Sequence, residues 1–322
     1  MTTNVRVGAN ASETRIAVVE EAVWSETPAS PSFQNMRFTS ETLMPTKETV
    51  RSDEIRADRN VIDEIEVGRS VGGNLEAELS YETFDDLLKS NLFNDWAGSP
   101  ADTLKNGVDP TAFTFERRVA LPGGTFDYMR LNGCVVDTFS LSATAGQLIT
   151  CSFGVQGRFG GRDNTVLSGA TYADANENRV LNAATHFAQL TVGGLSPSPR
   201  VMSLTLETTN NLRRQAELGQ LDTAGLGAGR FEVTGTMECY FESGALLQSF
   251  LDHDDLSLSF VLGTEAGQRY RFTLPTIILT GEPGGNATGN DADIMLPLSF
   301  TAVLDRLTSP RLECTLQIER GV

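Results

Sequence analysis

The stretch GNLEAELSYETFDDLLKSNL, residues 73–92, carries two periodicities in succession. From 73 to 81 the side chains alternate, with Leu75, Ala77, Leu79 and Tyr81 on one side and Asn74, Glu76, Glu78 and Ser80 on the other. Successive side chains of a strand point to opposite faces, so this period of two predicts a half-buried strand. From 82 to 92 the period lengthens. Phe84, Leu87, Leu88 and Leu92 fall on one face of a helix, and Glu82 and Asp85 sit near its positive N-terminal end. The prediction is a strand running directly into a short helix.

The same arrangement recurs later in the chain. GTMECYF (235–241) repeats GNLEAEL (73–79), LLQSFL (246–251) repeats LLKSNL (87–92), and MSLTLET (202–208) repeats MRFTSET (36–42). The three matches keep their order, which predicts an internal duplication. Looser matches extend it, with 128–136 resembling 270–278 and LITCSFGV (148–155) resembling MLPLSFTA (295–302). Residues 256–262, 269–281, 294–304 and 312–319 read as strands bounded by Gly, Pro and Asp. Pro275 and Pro297 fall inside two of these runs and predict bulge or edge positions. Ser243 is the expected N-cap of the second helix. Residues 43–72 form a charge-dense insertion whose regular apolar residues (Val50, Ile55, Val61, Ile62, Ile65, Val67) predict an extended arm or hairpin. Residues 210–229 are its Gly-rich counterpart. Residues 156–200, rich in Gly, Asn, Ala, Ser and Pro, read as the connector. The expected organisation is mainly β, with two tandem β-sandwich or β-barrel domains at 1–160 and 161–322. Each carries one short helix and one long inter-strand loop.

Composition narrows the function. The 322 residues are 40% hydrophobic, with no run near the roughly 20 apolar residues of a membrane helix. The N-terminus has no apolar segment, so no secretory signal is expected. The net charge of −17 argues against gripping nucleic acid through its phosphates. Cys134, Cys151, Cys239 and Cys314 lie far apart in apolar surroundings, which predicts buried reduced thiols rather than a zinc or redox site. His186 and His253 have no nucleophile motif beside them, and Asp252-His253-Asp254-Asp255 reads as a polar turn rather than a metal site. No calcium loop, zinc-protease motif or phosphate loop is present. The expectation is therefore no enzyme, no cofactor and no metal.

The run SDEIRADRNVIDEIEVGRSVGGNLEAELSYETFDDLL (52–88), with its R-x-x-R at Arg56–Arg59, its V-G-G-x-L-x-x-E-L-S-Y strand and its F-x-x-L-L helix, resembles the tail tube proteins of long non-contractile tailed phages. Residues 18–43 resemble the start of such proteins. The resemblance implies a virion structural protein that self-assembles into stacked rings, the channel for genomic DNA. It implies assembly in the host bacterial cytoplasm, a tape-measure protein and DNA inside the lumen without specific binding, and terminator and tip proteins at the tube ends, without membrane insertion. Rings of this kind hold six folds, so a duplicated chain implies a homotrimer with pseudo-sixfold symmetry. On that footing Arg51, Asp53, Glu54, Arg56, Asp58, Arg59 and Glu64, with Arg213 and Arg214 of the matching loop, are the candidate ring-to-ring contacts, since mixed charges set register. Glu76 and Glu78 are the candidate acidic residues facing the lumen. Residues 1–17 are expected to order only on assembly. Two other classes remain: a tail-tip, baseplate or carbohydrate-binding β-sandwich, which would present exposed aromatics, and a hydrolase with an acidic pair.

Overall fold

Alternation of the kind seen at 73–81 runs through most of the chain, and the computed structural model is accordingly built of strands. It describes residues 7–98, 102–196, 198–286, 289–291 and 293–322. A 3-10 turn (Ala11–Glu13) leads into β1 (Arg15–Glu20), β2 (Ser32–Asn35), β3 (Ser40–Glu41), β4 (Met44–Arg51), β5 (Glu64–Glu78) and helix α1 (Asp85–Leu92). Next come β6 (Asp102–Lys105), β7 (Phe113–Ala120), β8 (Phe126–Thr144), β9 (Thr150–Asp163), β10 (Thr171–Ala173) and β11 (Phe187–Gly193). The remainder is β12 (Val201–Thr209), β13 (Arg213–Gln215), β14 (Gly225–Gly227), β15 (Glu232–Tyr240), α2 (Ala245–Asp252), β16 (Leu256–Leu262), β17 (Tyr270–Thr280), β18 (Met295–Val303) and β19 (Gln317–Arg320).

Pairing repeats itself. In the first half β4 and β3 pair with β5, followed in order by β9, β8, β7 and β1. In the second half β12 pairs with β15, followed by β18, β17, β16 and β11. Each helix follows the matching strand, β5 or β15. Even the irregularities coincide. Phe113↔Cys134 and Phe115↔Leu131 flank a bulge between β7 and β8, and Leu256↔Ile277 and Leu258↔Leu274 flank one between β16 and β17. Pro275 lies within the second bulge, where no ladder donor is needed, and Pro297 lies on the stretch of β18 paired only with β15.

Two glycines make the same close approach in both halves. A Cβ on Gly73 would meet the Thr42 carbonyl oxygen at 2.3 Å, and one on Gly235 would meet the Thr205 carbonyl oxygen at 2.3 Å. The ladders agree, equating Ser40↔Glu76 with Ser203↔Glu238 and Met44↔Gly72 with Glu207↔Thr234. The repeat MRFTSET/MSLTLET is thus out of step with the pairing, which sets Thr42 against Thr205 rather than Thr208.

The sheet forks at β8. One edge pairs with β9 along most of its length; the other pairs first with β7 and then, over Thr138–Thr144, with β12. The halves are therefore joined by a continuous ladder, and the chain does not by itself close a barrel. A second tie is β19, which pairs with both β17 and β6. There Asp85 accepts hydrogen bonds from the Tyr270 hydroxyl and from Arg320, and Arg320 also reaches Asp102 at 2.8 Å. One core cluster spans both halves, from Ile16, Phe139 and Phe153 to Phe260, Phe272 and Phe300.

Several expectations are corrected. Residues 156–163 continue β9 and 187–193 form β11, so the connector is shorter than 156–200, and position 160 lies inside a strand. Glycines at 157, 160 and 161 mimic a loop but accommodate neighbouring side chains or a positive φ within the strand. Only 317–319 of the run 312–319 is strand, continuing to Arg320, because the Thr315 and Leu316 N–H groups bond to the Asn106 side chain instead. Ser80 is buried rather than solvent-facing, bonded to Thr83 and Arg37. Helix α1 starts at 85, not 82, since Glu82 has a left-handed φ of 58°. Ser243 lies one residue before the N-cap, Gly244, and accepts the Ala245 N–H at 3.4 Å. Of residues 1–17, the first six lie outside the described residues. Arg15–Ala17 already form β1 in the single chain, because Ile16 buries its side chain completely.

Candidate assembly surfaces

The insertion 43–72 folds into a hairpin arm, β4 against the first part of β5, joined by residues 52–63. Its side chains are largely exposed, and the apolar ones include a cross-strand pair, Val50↔Ile65. Ile55 at the tip is fully exposed. The arm therefore carries apolar surface that this chain does not cover.

The nine predicted charged residues are not one cluster. Arg51 faces Glu64 across the hairpin at 3.8 Å, and Glu64 accepts the Thr49 hydroxyl at 2.7 Å. Arg56 holds Asp58 with two hydrogen bonds of 3.0 and 2.9 Å, which keep the Asp58 carboxyl down at about 2. Arg59 takes a left-handed φ of 60° at the tip, and Asp53 and Glu54 are exposed beside it. Arg213 and Arg214 lie on the short hairpin β13–β14, the counterpart of the arm. Arg213 donates to the Ala228 carbonyl within its own hairpin, whereas Arg214 crosses to Glu48 of the arm at 3.3 Å. The Arg69 N–H donates to the Leu221 carbonyl at 2.6 Å, so the two hairpins lie side by side.

Glu76 and Glu78 belong to a larger surface. Ladder partners carry one row from Glu76 through Ser152, Ser140, Glu207, Thr234 and Thr301 to Ile278. The next row runs Glu78, Thr150, Ser142, Thr205, Thr236, Ser299, Thr280. Seven strands from both halves thus share one face, made of hydroxyls and carboxylates except for Ile278 at its end, all half-buried or exposed. Neither row contains a lysine or arginine. The hydroxyls tie neighbouring strands, as in Ser152 to Glu76 at 2.8 Å and Thr205 to Thr236 at 2.7 Å. The opposite face of the same strands carries Leu75, Phe139, Phe153, Leu206, Met237 and Phe300 into the core. Glu207 and Glu238 were not singled out from sequence. The alternation at 232–240 and the match of Glu238 to Glu76 were the signals available for Glu238.

Neither tryptophan offers a bare stacking platform. Trp24 donates to the Gly133 carbonyl at 3.2 Å, and Trp96 donates to the Asp85 carbonyl and lies beneath the Arg320 guanidinium. All four cysteines are buried and free, and burial pushes their thiols up, those of Cys239 and Cys314 to about 11. Among the described residues no group of three or more metal-ligating side chains converges, and no helix is long and apolar enough to cross a membrane.

The sequence profile of a known family, phage tail tube protein, matches residues 11–302. This chain belongs to the phage tail tube protein family. No curated relative matches it. As a tail tube protein it is a virion structural component that self-assembles into a tube, located in the phage tail. Its mainly β fold, with two short helices and charged hairpins, agrees with that membership.

Proposed function

We propose that three copies of this tail tube protein close a ring of six like units, and that rings stack into the conduit for genomic DNA. The coincident pairing order, the matched bulges and the matched Gly73 and Gly235 contacts support an internal duplication. The observation that carries the reading is the hydroxyl–carboxylate face running across β5, β9, β8, β12, β15 and β18 and reaching β17 at Thr280. A sheet with one side in the core and one side polar makes a wall, and this wall has carboxylates without cations. DNA carries one charge per roughly 1.7 Å of axis. Such a wall repels it from all sides within the roughly 8 Å screening length, so DNA and a tape-measure protein slide without being held.

The arm 44–72 and the short hairpin 213–227 are the proposed ring-to-ring contacts, with Val50, Ile55 and Ile65 covered by the next ring and the ion pairs setting register. Terminator and tip proteins would meet the same surfaces at the tube ends. Assembly in the host bacterial cytoplasm suits four buried, unpaired thiols. The test is electron microscopy with mass measurement on the purified protein. Hollow rings or tubes with three chains per ring are expected, whereas rings of six chains would overturn the stoichiometry. Glu76→Gln, Glu78→Gln and Glu207→Gln together should leave tube assembly intact and slow DNA ejection. Normal ejection would remove the lumen assignment.

A further inference from the structure

The junction between the halves provides a template for the junction between copies. Within the chain, β12 lays its free edge along the end of β8, from Ser203↔Thr144 to Thr209↔Thr138. The ladder then continues one step, as the Asn210 N–H donates to the Asp137 carbonyl at 2.9 Å. The last turn of α1 closes over this seam. Asn91 accepts the Thr208 hydroxyl at 2.7 Å, and its carbonyl accepts the Asn210 side chain at 2.8 Å.

Each element of this seam has a counterpart without a mate. Among the described residues β4 pairs with β5 alone, and the last residues of β17 (278–280) pair with β18 alone. The ladders make Pro45 and Lys47 the counterparts of Thr208 and Asn210. The shared bulge makes Thr280 the counterpart of Asp137. The repeat LLKSNL/LLQSFL matches Ser90, Asn91 and Leu92 with Ser249, Phe250 and Leu251. Ser90 and Ser249 are both buried, but Leu92 is 1% exposed and Leu251 is 66% exposed.

The chemistry at the two seams changes in concert. Inside the chain both sides are polar, Thr208 and Asn210 against Asn91. At the unmated edges both sides are apolar, Pro45 and the Lys47 stem against Phe250 and Leu251. Pro45 cannot donate a ladder hydrogen bond, and the Leu43 N–H is already taken by the Glu41 carboxylate at 3.0 Å. This edge is therefore blunted against indiscriminate strand pairing. A mate must instead be recognised by side-chain contact.

We propose that a second copy of this chain seats the Pro45–Lys47 edge of β4 against the end of β17 and the last turn of α2, with Lys47 opposite Thr280 and Pro45 on Phe250 and Leu251. This rests on the reading that like halves close a ring. Apolar packing contributes most of the seam, with fewer backbone bonds than the internal one. Assembly then depends on a small set of side chains that leave the single chain's fold untouched.

The test uses the full chain with Lys47→Cys and Thr280→Cys, treated with a short bifunctional maleimide after assembly and checked by electron microscopy. The native thiols are buried and should stay silent. The expected result is a ladder of covalent multiples ending at the ring's chain number, absent from either single variant. Rings or tubes without cross-links would overturn this seam and leave the ring reading standing. Absence of assembly and of cross-links at high protein concentration would overturn both. Independently, Leu251→Asp should lower the assembled fraction at least tenfold with an unchanged melting temperature, and Leu251→Met should assemble normally. Normal assembly of Leu251→Asp would also refute the seam.

Discussion

Replacing Asn210 with alanine tests whether the two halves are held by the seam described above. Asn210 is 3% exposed, and its side-chain amide donates to the Asn91 carbonyl at 2.8 Å and the Val136 carbonyl at 3.0 Å. The Asn91 carbonyl belongs to the last turn of α1, where no intrahelical N–H is available. Asn210 thus caps a helix of one half from a strand of the other. Alanine removes both bonds and leaves buried acceptors unsatisfied. A net hydrogen bond is worth ~0.5–1.5 kcal/mol and an orphaned buried acceptor costs ~1–3 kcal/mol, so the expected loss is about 2–4 kcal/mol. Asn210→Asp should cost more, because it aims an acceptor at two acceptors. The assay is urea unfolding at neutral pH followed by far-ultraviolet circular dichroism, with Glu207→Gln as the exposed control expected within ~0.5 kcal/mol of wild type. An Asn210→Ala protein as stable as the control would refute the seam as a source of stability.

Other sites give separate expectations. Glu116 is wholly buried and accepts from Arg15 at 2.7 Å, Arg130 at 3.0 Å and the Tyr172 hydroxyl at 2.7 Å. Glu116→Gln leaves two guanidinium groups short of a counter-charge and should cost about 3–5 kcal/mol; a wild-type thermal midpoint would contradict this. Burial pushes the Asp305 carboxyl up, but hydrogen bonds from the Thr308 hydroxyl and the Leu312, Thr308 and Leu307 N–H groups outweigh it and bring it to about 2. Its folded value lies below the unfolded one of roughly 3.9, so the stability it contributes is present above about pH 4 and lost as pH falls toward 2. Asp305→Asn should flatten that acid limb in a stability–pH series, and an unchanged limb would assign it to other groups. Tyr270 donates to Asp85 and accepts the Glu82 N–H at 2.7 Å. Tyr270→Phe should cost about 1–3 kcal/mol. Burial pushes the phenol well up, so the loss should be the same from pH 6 to 9; a loss that varies with pH would show the phenol titrating.

Local pattern was enough for the strands and helices, because burial on one face leaves a period in the residues themselves. The alternation at 73–81, the switch to helical spacing after it and the run 256–262 became β5, α1 and β16, with the strand ending at Glu78 and the helix starting at Asp85. The arm was legible too, since apolar residues at regular spacing in a charged loop are compatible with a hairpin and not with a free linker. Glycine misled at 157–161, where it serves close packing inside β9 rather than a turn. Register was hidden: MRFTSET and MSLTLET look alike, yet the Gly73 and Gly235 contacts set them three residues apart.

By itself the sequence determined the mainly β class, the repeated strand-then-helix order, the buried thiols and an acidity unsuited to gripping nucleic acid. Each of these is a local or summed property of side chains. Only the tertiary structure decided which strands share an edge, and hence that Glu76, Glu207 and Thr234 form one row although they are far apart along the chain. It also separated Leu92 from Leu251, two residues alike in sequence context. Leu92 lies in the core at the seam between the halves, and Leu251 is left uncovered. Exposure depends on what the rest of the chain brings alongside, and no local pattern encodes that.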